Sequence, residues 1–251
     1  MKRCYLAFLV APLLGCTPPT SPASTPAVAL PPSPGIVTLA SGRSLDSLAF
    51  PAVFEAAFLP GATVRQGADN YTFRAIELGE LSSPTGKLLA GDPVGISQQQ
   101  AFTQPFPVGK FPVQLALLKH GQAEVTGFAQ VLFSARRVAK WQLALLPGQA
   151  PLALRDSSFY CYGVDSGMGV FIDSVANRRL ALQGQAAWDE AFIARPAQLG
   201  SGYVGRVYRF DGHTLATFRT GAGDGCYATY IGFDASGRVC RLLTDFGLVG
   251  W

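Results

Sequence analysis

Beyond residue 50 the chain is a succession of short β-prone runs punctuated by turn residues. Residues 71–78 and 86–90 read as strands. Residues 111–118 and 124–133 form a pair around Lys119-His120-Gly121-Gln122, a hairpin signal. A strand is expected over 138–146, with Trp141 toward the core, and shorter ones over 159–164 and 168–172. Two further hairpins are predicted. One joins 203–210 to 213–218 through Asp211-Gly212; the other joins 227–233 to 238–243 through Asp234-Ala235-Ser236-Gly237. Helical signals are few. Pro51 opens a short helix over 51–58 that Leu59-Pro60-Gly61 ends. Asp173 precedes a helix over 174–182 as its N-cap, and 187–194 is helical up to Pro196. This pattern predicts a mainly β fold with a few short helices (α+β), built as an antiparallel β-sandwich or partial barrel.

The first 34 residues follow other rules. Lys2 and Arg3 precede an apolar run over 5–14, too short for a bilayer-spanning helix, and Gly15 is the small residue before a cut. Leu13-Leu14-Gly15-Cys16 resembles the lipobox of bacterial lipoproteins. That resemblance implies a signal peptide over 1–16 and lipidation of Cys16. Several acyl chains anchor stably, at about 0.8 kcal/mol per buried CH₂. Residues 17–34 hold seven prolines among Ser, Thr and Ala, the composition of an extended, disordered tether. Residues 35–251 are then one β-rich globular domain. The expected location is the cell envelope, on the outer membrane or the outer face of the cytoplasmic membrane, with the membrane as a partner through the lipid.

Charge narrows the partners. The formal net charge is +4, of which Lys2 and Arg3 supply two, and no basic cluster is interleaved with aromatics, so nucleic acid is not an expected ligand. Three cysteines remain after processing: Cys161, Cys226 and Cys240. They lack C-x-x-C spacing. In the 227–243 hairpin Cys240 falls opposite the region of Ile231. That puts Cys226 ~17 Å away at about 3.4 Å per residue, which argues against a Cys226–Cys240 bridge. Cys161 with either of the others stays open.

Carboxylates are scarce, and five sit beside turns or strand ends: Asp92, Asp165, Asp173, Asp224 and Asp245. Asp173 reads as a helix cap. Asp92 before Pro93, and Asp224 between two glycines, read equally as turn residues. Asp165 and Asp245 each end an apolar strand. Convergence of Asp165, Asp224 and Asp245, with Asp92 or Lys87, would provide a site for catalysis or ligand binding, or a place for Ca²⁺ or Mg²⁺. No cofactor is otherwise expected. Nucleophile signatures such as G-x-S-x-G are missing, Gly86-Lys87 lacks P-loop spacing, and His120 and His213 fall at turns. Asp245-Phe246-Gly247 matches a kinase tripeptide without its companion motifs.

Several segments together resemble the bacterial family of domains of unknown function numbered 4241. They are Leu78-Gly79-Glu80-Leu81 with Pro84 to Pro93, Val108 to Leu115, Trp141 to Leu145, Tyr162 to Asp173, Gly221 to Tyr227, and Gly232 to Gly247. The likeness spans roughly residues 50–249. Gly91 and Cys226 depart from it, standing where the family pattern has Cys or Ala and an aromatic residue. The resemblance implies that the five Asp belong to one framework, and it brings no mechanism with it. The sequence as a whole favours a lipid-anchored envelope protein, a non-enzymatic binding or structural module for a protein or glycan ligand. The alternative is a metal-dependent or acid/base hydrolase using the Asp cluster.

Overall fold

The computed structural model describes residues 36–38, 51–120, 122–154, 158–194, 197 and 202–251. The signal peptide 1–16 with Cys16, the tether 17–34 and Gly121 of the first hairpin lie outside these residues. The fold is mostly β, with short helices and antiparallel sheets, as the sequence predicts.

The larger sheet is a half-barrel. Its strands are β1 (Ile36–Thr38), β2 (Thr63–Gln66), β3 (Asp69–Ser83), β5 (Gly109–His120), β6 (Ala123–Leu132), β13 (Val239–Asp245), β12 (Gly225–Phe233) and β7 (Lys140–Leu143), in that spatial order. β8 (Tyr162–Val164) pairs with the free half of β12. The smaller sheet is ordered β10 (Gly205–Phe210), β11 (His213–Arg219), β9 (Met168–Asp173) and β4 (Leu88–Gly91).

Three apolar layers hold these sheets. On one face of the larger sheet lies α1 (Val53–Ala56), whose Phe54 is fully buried against Phe128, Trp141, Tyr230 and Trp251. The other face supplies Leu115, Leu117, Ala129, Val131 and Leu242 to a core shared with Phe171, Ala216 and Phe218 of the smaller sheet. The far side of the smaller sheet buries Val170, Ile172 and Leu215 under α2 (Ser174–Gln183), α3 (Gln185–Asp189) and the π-helical turn Glu190–Ala194. Both sheets are thus covered on both faces. That is why consecutive residues such as 115–118 and 170–172 are all apolar rather than alternating.

Turn chemistry sets the registers. Asp211 and Gly212 both take positive φ (44° and 77°), the requirement of a two-residue type I′ hairpin, and β10 and β11 pair from Phe210↔His213 onward. At the 234–237 turn the Asp234 carboxylate accepts from the Ser236 and Arg238 amides. Those bonds, led by the Arg238 N–H, hold its carboxyl down at about 2. Gly79 (φ 122°) sits at a bulge in β3, where the register against β5 slips between Glu77 and Gly79.

Several boundaries differ from the sequence reading. β3 runs to Ser83 because its second half pairs with the start of β5. The expected strands 138–146 and 159–164 shrink to β7 and β8, whose ladders on β12 run over Lys140–Leu143 and Tyr162–Val164, with single further bonds from the Ala139 and Ala144 amides. β1 and β2 were not anticipated, nor was the 3₁₀ helix Pro93–Gln98 that Asp92 caps. Cys240 stands at a bulge and its thiol lies 3.4 Å from the Gly232 carbonyl, one residue from the expected Ile231.

Truncating Phe54 to Ala would leave a cavity between α1 and the sheet. Chemical denaturation should show a loss of about 3–5 kcal/mol relative to the parent.

Candidate functional site

Four of the five aspartates act as acceptors for the chain's own donors. The turn Asp165-Ser166-Gly167 joins β8 to β9, and its three successive amides point at two carboxylates. Asp92 Oδ2 accepts from the amides of Asp165 (2.7 Å) and Ser166 (2.9 Å). Its Oδ1 takes the Ser166 hydroxyl (2.8 Å) and the Val94 amide (2.7 Å). Asp224 Oδ1 accepts from the Gly167 amide at 3.0 Å. The Gly223 carbonyl behind it receives the Tyr227 and Thr220 hydroxyls, each at 2.7 Å. So Asp92, Asp165 and Asp224 do come together, through a turn that two of them clamp. The exposed Asp165 carboxylate accepts no hydrogen bond among the described residues.

Asp173 has no exposure. As expected it caps α2, accepting from the Val175 amide at 3.0 Å. It also accepts from the Thr85 amide (3.1 Å) and hydroxyl (2.8 Å) and the Ser83 hydroxyl (3.4 Å). The Ser174 amide donates to the Lys87 carbonyl at 2.8 Å, fastening the start of β4 to the same helix end. Gly86 is required just before it: its φ is 66°, and a Cβ there would sit 2.3 Å from the Phe106 carbonyl oxygen.

Asp245 stands apart, at the end of β13 on the face that carries α1. It accepts from the Gly247 amide and the Trp251 indole N–H, both at 2.8 Å. Burial raises its carboxyl to about 6 despite these two bonds, and the same burial raises the neighbouring Tyr230 hydroxyl. It does not join the Asp92–Asp224 clamp. Among the described residues no three His, Cys, Asp or Glu side chains stand close enough to hold a metal ion.

Cys161 and Cys226 form a disulfide, with Cα atoms 5.4 Å apart and both residues exposed, beside the β8–β12 ladder. This decides between the two pairings left open. Cys240 is a free, buried thiol that burial pushes up to about 11. Beside it Arg241 donates to the carbonyls of Ser134 and Cys240 and faces Glu55 of α1 at 3.7 Å.

Lys87 is exposed and lines an open groove of about 500 Å³ beside α2. Arg178, Gln99, Gln100, Gln104 and Asn177 share its walls. The Gln98–Gln100 tract and the Arg178-Arg179 pair are visible in the sequence, but only the packing of the 3₁₀ helix against α2 puts them at one place. A second groove, about 540 Å³, passes Ser166–Met168 and Thr220–Gly223; neither Asp165 nor Asp224 lines it.

A family model described as Protein of unknown function (DUF4241) matches residues 81–244. No curated protein and no solved structure matches the chain.

Removing the clamp should be costly, and removing the idle carboxylate should not. Thermal and urea unfolding should show Asp92→Ala losing about 1–3 kcal/mol, since four donors lose their acceptor. Asp165→Asn should stay within about 0.5 kcal/mol of the parent. Asp245 sets a pH dependence of opposite sign to a paired carboxylate. Its folded carboxyl titrates about 6, above the ordinary 3.8, so the folded state binds the extra proton between these values. Stability from this group is full below pH 3.8 and falls as pH rises through 6, by at most about 3 kcal/mol. The stability difference between parent and Asp245→Asn should therefore shift in the variant's favour from pH 4 to pH 7.

Proposed function

This chain belongs to the DUF4241 family, and we propose that it is a lipid-anchored, non-enzymatic binding module of the cell envelope. The observation that carries this reading is the commitment of the acidic side chains. Asp92, Asp173 and Asp245 each have both oxygens hydrogen-bonded within the chain, and Asp224 has one. A hydrolase of the acid/base type needs two carboxylates free to address a substrate. Here they serve as acceptors that shape loops. The scaffold so held offers an open groove lined by neutral amides and cations, which suits recognition of a protein or glycan ligand.

The location is supported by chemistry at two distant points. The Cys161–Cys226 disulfide is exposed to whatever thiols surround the protein, and such bonds persist in oxidising compartments. The segment ending Leu13-Leu14-Gly15-Cys16 has the order of a lipoprotein signal. With the lipid at Cys16, the tether 17–34 separates the membrane surface from the folded domain.

Expression of the full chain in a bacterium, with an alkyne-bearing palmitate analogue, tests the anchor. The parent should carry the label and sediment with membranes. Cys16→Ser should lose both. A variant that keeps label and membrane association would overturn the reading.

A further inference from the structure

We propose that the Lys87 groove is a binding site for a sugar acid, a polyhydroxylated ligand carrying one carboxylate. The inference rests on the reading of the domain as a binding module and names the class of ligand for it.

The groove has an unbalanced charge. Lys87 and Arg178 are both exposed, line the same depression, and form no ion pair among the described residues. Among the described residues no carboxylate lines it. The nearest acid along the chain, Asp173, is fully buried behind the wall with both oxygens occupied. Two other grooves differ. Past Ser166–Met168 the lining includes Glu124, already paired with Arg74 at 2.6 Å, opposite Arg219. Beside Phe133 the cations Arg136 and Arg238 flank Asp234. Two unneutralised cations favour an acid group on whatever occupies the Lys87 groove.

The neutral lining specifies the rest. Gln99 and Gln100 present side-chain amides that make no hydrogen bond among the described residues. An amide both donates and accepts, which matches a hydroxyl, a group that does the same. Asn177, 5% exposed, donates through Nδ2 to the Ile96 carbonyl at 2.8 Å and so is held in the wall of the groove, and its buried Oδ1 has no partner among the described residues. Phe102, Pro105 and Pro147 give the groove apolar surface for the C–H face of a sugar ring. The volume of about 500 Å³ is that of a small-molecule site.

The test is calorimetric titration of the full-length protein in detergent with glucuronate, its uncharged methyl ester, a short oligogalacturonate, and inorganic phosphate. Glucuronate should bind more tightly than the ester and than phosphate, and binding should weaken with salt. Lys87→Gln/Arg178→Gln should bind glucuronate roughly tenfold more weakly, the loss of a charge-assisted contact. Both positions are exposed, so the thermal midpoint should not move. Tighter binding of the oligomer identifies a glycan chain as the source, and equal binding a free sugar acid; either supports the proposal. No binding, equal binding of the ester or of phosphate, or a double variant that binds like the parent would overturn it. That failure would leave palmitate labelling at Cys16 untouched, so the two readings fall separately.

Discussion

A carboxylate without exposure, Asp173, joins the two sheets to the helical layer. It ends β9, caps α2, and receives the donors of Ser83 and Thr85 from the end of β3. The end of β3, ninety residues earlier in the chain, is thereby fixed to the β9–α2 junction by one side chain. A polar group so deep is tolerable because both its oxygens face N–H or O–H donors, a local shell that stands in for water. It acts where β3 turns into β4, beside the Leu88–Gly91 ladder onto β9 and next to Lys87 and Ser174 of the groove wall.

The same economy recurs across the molecule. A chain with few charges uses its acids where backbone amides need acceptors: at the 165–167 turn, at the 234–237 hairpin, and at the end of β13. These positions differ in the price of burial. Asp234 is surrounded by donors and stays a strong acid, whereas Asp245 lies between aromatic rings with two donors and is pushed toward its neutral form.

Local chemistry was legible in the sequence, and long-range convergence was not. The Asp211-Gly212 and Asp234–Gly237 hairpins, the α2 cap at Asp173 and the short helix around Phe54 all follow from turn and cap preferences that act over a few residues. The strand lengths required knowledge of partners. β7 and β8 are short because β12 divides its length between them. Among the five aspartates, proximity in sequence said nothing of grouping. Asp224, just before β12, and Asp245, at the end of neighbouring β13, are 21 positions apart, yet one clamps the 165–167 turn and the other faces α1's layer. The Lys87 groove escaped reading altogether, because Lys87, Gln99 and Arg178 meet only through packing.

The disulfide gives the molecule an unusual covalent topology. Cys161 and Cys226 are 65 positions apart, and the span between them holds β9, α2, α3, β10 and β11. Three of the four strands of the smaller sheet, with both of its helices, are therefore a closed ring of covalent bonds hung from the larger sheet at one neck. A peptide bond cut anywhere inside that ring separates nothing. The two fragments remain one molecule until a thiol opens the neck.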